Sequence, residues 1–148
     1  MNIIKLIDQY NEDNVVFCDP IKNNIMLEGN FIRILYSTPI CILNGIYLSI
    51  LINHLSIEKY FNKYKCSFDI NSHMSVINKI RDIEMGILRK INITGKTPQY
   101  KIFEQIRNGN IKIFSDNIEK NNSMFVLKIA GVWETDYNYG LTYKFLRI

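Results

Sequence analysis

The chain has 148 residues, the usual size of one domain that buries its own core. Hydrophobic residues make up 47% of the sequence and charged residues 22%, a balance that excludes an intrinsically disordered chain. The net charge of +4 is too small to identify an anionic partner, so the positions of the basic residues matter more than their number. No repeat or linker divides the sequence, and we expect a single domain over residues 1–148.

The three cysteines, Cys18, Cys41 and Cys66, follow no spacing typical of a disulfide framework or a zinc site. We therefore expect reduced thiols in a cytosolic or nuclear compartment, no metal and no cofactor. Asp8 comes too early for a secretory signal. The most apolar run, residues 40–52, is thirteen residues long, whereas a membrane span needs about 20. These features predict a soluble protein with no membrane partner.

The N-terminal half contains several segments that are typical of strands. The candidates, in chain order, are Val15–Cys18, Phe31–Ser37 and Tyr64–Ile70. Asn44-Gly45 stands between two Ile-rich apolar runs, which is the strongest short-range signal for a hairpin. We therefore predict that residues 40–43 pair with residues 46–52.

The clearest helix is predicted for residues 75–91, where apolar residues that include Ile83 and Ile87 recur at three- and four-residue steps. Ser75 suits the N-cap of this helix. Gly86 would cost about 1 kcal/mol inside it, so we expect a close packing contact there.

A second, shorter helix is predicted for residues 98–107. Thr97 suits its N-cap and Pro98 its first position, while Asn108-Gly109 suits its end.

Three strands are predicted near the C-terminus, at residues 111–114, 124–133 and 141–148, with residues 134–140 as the loop between the last two. Short strands together with one long and one short helix indicate an α+β, mostly β, domain. The most economical closed form is a five-stranded Greek-key barrel with an inserted helix.

No catalytic or phosphate-binding motif is present, and we expect that the protein is not an enzyme. Glu84 lies on the apolar side of the predicted long helix. An isolated carboxylate at such a position is either an acid with a raised pKa or, more often, a group bonded to a nearby Lys or backbone amide.

Basic residues placed on strands are the more informative feature. The four residues are Arg33, Lys112, Lys128 and Lys144, each set among apolar neighbours. If the strands pair, these side chains form one basic row across a sheet face. Strict alternation along residues 124–133 puts Lys128 on one face and Trp133 on the other, together with Phe125 and Ile129.

Aromatic residues lie close to the basic ones in sequence, among them Trp133, Tyr137, Tyr139 and Tyr143. Basic groups that neutralise phosphates and rings that stack on bases are the two requirements of a single-strand binder. The alternative is that lysines on strands simply solvate the outer face and protect sheet edges from aggregation.

The segments FVLKIAGVWET (Phe125–Thr135) and YGLTYKF (Tyr139–Phe145) resemble small single-stranded-DNA-binding-like proteins of nucleocytoplasmic large DNA viruses, the giant viruses. These are related to single-stranded DNA-binding proteins of short-tailed phages. The composition agrees, because frequent Ile, Asn, Lys and Tyr with a single alanine, Ala130, are typical of an AT-rich genome. Phage proteins of this kind end in an acidic tail that recruits enzymes. This sequence ends in KFLRI, so we expect no recruitment of that kind.

The resemblance implies an OB-like domain that binds single-stranded DNA, in preference to RNA and without sequence preference, in viral replication, repair or packaging. It implies that Arg33, Lys112, Lys128 and Lys144 contact phosphates. It implies that Trp133, Tyr137, Tyr139 and Tyr143 stack on bases.

The expected location is the viral factory in the host cytoplasm, the nucleus or the virion. A second copy of the chain and viral replication or virion proteins are further expected partners. The main alternative function is a scaffolding virion protein or an accessory subunit of a replication or transcription complex, in which the same surface binds protein.

Overall fold

A computed structural model describes residues 4–22, 29–114 and 124–147. The strands are β1 (Lys5–Leu6), β2 (Val15–Phe17), β3 (Ile21–Lys22), β4 (Asn30–Ser37), β5 (Ile42–Asn44), β6 (Ile46–Leu51), β7 (Ser56–Tyr60), β8 (Lys63–Ser67), β9 (Thr97–Gln99), β10 (Asn110–Phe114), β11 (Met124–Glu134) and β12 (Asn138–Arg147). The helices are α1 (Met74–Ile91) and α2 (Lys101–Arg107). The fold is therefore α+β and mostly β, as predicted.

The larger, mixed sheet is arranged around β11. Strand β12 runs antiparallel along one edge of β11, and β9 extends the sheet beyond β12 in parallel. Two strands share the other edge: β6 pairs with Met124–Ile129, and β4 pairs with Gly131–Glu134. Strands β2 and β3 then pair with β4, and β1 pairs with β6. Almost every residue of β11 is thus held from both sides.

The predicted hairpin around Asn44-Gly45 is wrong in its pairing. The chain does turn at Gly45, which has φ +98°, but β5 pairs with β4 while β6 pairs with β11. The turn lies where β4 and β11 separate. A Cβ on Gly45 would be 3.2 Å from the carbonyl oxygen of Ile129. Local sequence predicts a turn, whereas long-range packing decides which strands flank it.

A second, three-stranded antiparallel sheet has the order β10–β8–β7. Cys66 and Ile111 are buried on its inner side, and α2 packs against both β10 and β12. The hydrophobic core lies between the inner faces of the two sheets and the helices. Strand β10 begins one residue before the predicted strand at residues 111–114. The last residue of the strand predicted at 141–148, Ile148, lies outside the described residues.

Helix α1 confirms the predicted periodicity, because Ile83 and Ile87 are both buried. The contact expected at Gly86 is also present, since the side chain of Glu12 lies where a Cβ would be. The predicted N-cap is wrong: His73 occupies that position, and Ser75 lies inside the first turn.

Helix α2 begins three residues later than predicted, at Lys101, because Thr97–Gln99 pairs with β12 as strand β9. Its N-terminus is held by the buried carboxylate of Glu84 from α1. The two carboxylate oxygens accept hydrogen bonds from the backbone N–H groups of Ile102 and Phe103, each at 2.9 Å. The structural interpretation of Glu84 is therefore confirmed, and one acidic side chain joins the two helices.

Burial raises the pKa of Glu84 to about 7, against the opposing effect of the two N–H groups. A pKa that is higher in the folded than in the unfolded state stabilises the protein below about pH 4.5, and this stabilisation is lost as pH rises to about 7. We predict that the free energy of unfolding falls by up to about 3 kcal/mol across this window. Urea denaturation at several pH values measures it.

The Glu84→Gln variant should lose most of this pH dependence, because its amide does not titrate. Glu58→Gln, at an exposed position of β7, is the matched control and should keep it. An equal slope in the Glu84 variant and in the wild type would contradict the assignment.

Candidate nucleic-acid interface

The register around β11 gathers polar and aromatic side chains into rows on the side of the sheet opposite to the core. Lys128 is paired with Tyr47 of β6 and with Lys144 of β12. Further along β11, Trp133 is paired with Phe31 of β4 and with Gly140 of β12. We call this face, with Phe31, Arg33, Tyr47, Lys128, Trp133 and Lys144, the β11 surface.

A β-bulge at Ala130 brings the two rows to the same face. The pairing of β11 with β12 shifts register between Ile129 and Gly131. Without that extra residue, Lys128 and Trp133 would point to opposite sides of the sheet. The prediction that Trp133 shares a face with Phe125 and Ile129 is therefore wrong, because it assumes strict alternation of side chains along the strand and the bulge interrupts that alternation.

The two large rings of the β11 surface lie against backbone at glycine positions. A Cβ on Gly131 would come within 2.5 Å of the ring of Phe31, and one on Gly140 would come within 2.7 Å of Trp133 Cζ2. Both rings are half-buried, so part of each is accessible. At both positions glycine lets the ring pack directly against the backbone, which the Cβ of any other residue would prevent.

Three cations lie on the same face of the sheet as these rings. Arg33 lies between the two rows, opposite Gly131, and is exposed, as is Lys144. Lys128 is half-buried, with its Nζ 5.6 Å from the centroid of the Tyr47 ring. Within the described residues no carboxylate forms an ion pair with any of the three. The surface therefore carries positive charge that the described part of the fold does not neutralise.

Lys112 does not belong to this surface, so the prediction of a single basic row through four strands is wrong. It lies on β10, which pairs with β8 in the smaller sheet, and its direct partner there is Lys65. The large sheet brings together only Arg33, Lys128 and Lys144.

Two of the predicted stacking tyrosines point inward. Tyr139 is only 5% exposed, and burial raises the pKa of its hydroxyl. Tyr143 packs toward α2, where its Oη donates to Gln105 Oε1 at 2.6 Å, and burial raises its pKa to about 12. Neither ring can stack on a base from the β11 surface.

Tyr137 is 79% exposed at the tip of the β11–β12 hairpin, beyond the end of the Trp133 row. The hairpin is closed by the N–H of Thr135, which donates to the carbonyl of Asn138. Phe31 and Tyr47 are the functional candidates that sequence reasoning missed. The signal was available for Phe31, because residues two apart on a strand share a face and Arg33 was already a candidate.

Comparison of the chain with protein-family models, with curated proteins and with solved structures gave no match. None of the described helices is long and apolar enough to cross a membrane. Over residues 4–22, 29–114 and 124–147, no three His, Cys, Asp or Glu side chains are grouped so that they could hold a metal ion.

Gly140→Ala should displace the indole of Trp133. The new Cβ would lie 2.7 Å from Trp133 Cζ2 and 3.0 Å from the backbone oxygen of Gln99, so it has no room to move away from the ring. We predict a loss of about 1–3 kcal/mol in unfolding free energy, as for other overpacked sites, together with a red shift of the tryptophan emission. Trp133 is the only tryptophan, so the emission reports this site alone. Thr142→Ala, two residues along the same face, is the control and should leave the emission unchanged.

Proposed function

We propose that the protein binds single-stranded DNA through the β11 surface, without sequence preference, in viral DNA replication, repair or packaging. The observation that carries the proposal is that three cations share one sheet face with two accessible rings. The cations are Arg33, Lys128 and Lys144, and the rings are Phe31 and Trp133. Phosphates gain from the cations, and accessible ring faces stack on any base at about 1–3 kcal/mol each.

The size of the surface fits a short segment of strand. By the usual strand spacings, the distance along β11 from the Lys128 row to the Trp133 row is about 13 Å, and the distance across the sheet from β4 to β12 is about 10 Å. This area suits a footprint near the small end of the about 4–16 nucleotides that OB domains bind.

We also propose that the large sheet is OB-like. The resemblance of Phe125–Phe145 to the giant-virus proteins supports this, as do two local features of the sheet. Gly45, where β4 and β11 separate, and the bulge at Ala130 are devices that bend strands and let a sheet curl.

A second candidate function, an accessory or scaffolding subunit, is favoured by one specific feature. Ile40 is 92% exposed and Ile42 is 68% exposed, both beside the turn between β4 and β5. Exposed apolar side chains that form a contiguous patch are typical of protein–protein contact sites, and these two residues are separated only by Cys41.

Binding to oligo-dT should quench Trp133 fluorescence, since a base that stacks on the indole changes its surroundings. Affinity should fall with salt, and each neutralised phosphate should contribute about −0.7 to the slope of log affinity against log salt. Replacing Arg33, Lys128 and Lys144 with Gln should flatten that slope and weaken binding to all sequences alike.

The matched control replaces Lys79, Arg81 and Arg89 of α1 with Gln, which removes the same charge from another surface. Equal losses of affinity in the two triple variants would overturn the proposal, because binding would then depend on net charge alone. Equal affinity for double-stranded DNA would overturn it as well.

Phe31→Leu separates stacking from charge. Measured by anisotropy of a labelled oligonucleotide, it should weaken binding by about five-fold or more at every salt concentration. The salt slope should stay as in the wild type, because stacking releases no counterions. A changed slope with unchanged affinity at low salt would contradict the stacking role.

A further inference from the structure

Strand β5 forms a free edge of the fold. Within the residues that the structure describes, it pairs with β4 alone. The turn before it is closed by the N–H of Thr38, which donates to the carbonyl of Cys41 at 2.8 Å. Because hydrogen-bonded and non-hydrogen-bonded pairs alternate along an antiparallel ladder, the backbone N–H and C=O groups of Ile42 and Asn44 point away from β4. We call residues 40–44 the β5 edge.

The β5 edge and the sheet face beside it are apolar. Ile40 and Ile42 are both exposed. On the neighbouring strands, Leu35 of β4 and the exposed Val16 of β2 are direct cross-strand partners on the same outer face as Ile42. Apolar side chains therefore lie next to backbone groups that can still form hydrogen bonds. These are the two things that a further strand needs at a sheet edge.

The β5 edge lacks the protection that other sheet edges of the protein have. Natural sheets prevent association of their edges with a charged residue, a proline or a covering element. In the described part of the fold, each other terminal strand of three or more residues has one of these: Lys90 Nζ bonded to the carbonyl oxygen of Val15 on β2, Glu58 and Lys59 on β7, Pro98 on β9, and α2 packed beside β10. By contrast, no Asp, Glu, Lys or Arg occurs between Arg33 and Glu58.

We infer that the β5 edge pairs with the β5 edge of a second copy of this chain, antiparallel across a two-fold axis. Such an axis places each residue near it beside its own copy, so a charged edge would repel itself and an uncharged one does not. Pairing centred on Ile42 lets the two copies of this residue exchange both backbone hydrogen bonds. It also brings their side chains together and sets Ile40 of each copy opposite Asn44 of the other.

The size of this interface favours a reversible dimer. By the usual strand spacing the β5 edge is about 15 Å long, so the area buried in the dimer falls below the about 1,200 Å² of standard stable complexes. We expect a dissociation constant on the order of 10 µM. The dimer leaves one β11 surface open on each copy, which suits a strand longer than one copy covers. This last consequence rests on the proposed function, whereas the dimer does not.

Sedimentation equilibrium without nucleic acid, at concentrations on either side of this value, tests the inference. Ile42→Lys puts a charge beside its own copy and should weaken the dimer by about ten-fold or more. Leu51→Lys is the matched control. Leu51 is also an exposed apolar residue, but it lies on β6, which is paired with β1 on one side and β11 on the other. This control should dimerise as the wild type does.

Hydrogen–deuterium exchange of the unmodified chain locates the contact without a variant. The amides of Ile42 and Asn44 should exchange more slowly as the protein concentration rises, whereas the amide of Leu43, which is bonded to β4, should not change.

A monomer at every concentration would overturn the inference, and so would equal weakening of the dimer by the two lysine variants. Exchange at Ile42 and Asn44 that does not depend on concentration would overturn it as well, because any dimer would then form elsewhere. No nucleic acid is present in these experiments, so failure here and failure of DNA binding at the β11 surface are distinguishable.

Discussion

Backbone pairing along both edges of β11 is the constraint on which the rest of the structure depends. Strand β12 holds one edge, while β6 and β4 divide the other at the bulge. A Cβ on Gly131 would collide with the carbonyl oxygen of Ile32, so the close pairing with β4 at this point requires glycine. The bulge also shifts the alternation of side chains between the two faces of the sheet. The same short segment therefore determines which strand pairs with β11 and which side chains lie on the outer face.

Strand β12 connects the β11 surface to helix α2. Lys144 points outward to the β11 surface, and the neighbouring Tyr143 points inward to α2. Helix α2 has only seven residues, too few to be stable alone. Its position is instead fixed from α1 by Glu84 and from β12 by Tyr143. The packing of α2 therefore depends on a buried carboxylate that belongs to another helix.

Sequence predicted the elements whose signals are local and missed the features that depend on distant partners. The periodicity around Ile83 and Ile87 predicted α1 because a helix is defined by its own residues. Asn44-Gly45 predicted a turn, but nothing local specifies that the strands before and after it pair with different neighbours. For the same reason alternation placed Trp133 on the wrong face, since a bulge is a property of a strand pair. Tyr137 and Tyr139 are the same residue type, so the sequence alone does not tell which of them is exposed. The hairpin between β11 and β12 leaves Tyr137 exposed and buries Tyr139.

The apolar residues that favour a protein partner do not compete with the β11 surface. Ile42 pairs with Ser37 at the far end of β4, whereas Phe31 lies near its beginning. Six residues of strand separate the two ends by about 20 Å. A partner that covers Ile40 and Ile42 would therefore leave the rings of Phe31 and Trp133 open to a strand. The proposed nucleic-acid binding and the proposed protein contact are thus compatible in one molecule, because β4 carries the two surfaces at opposite ends.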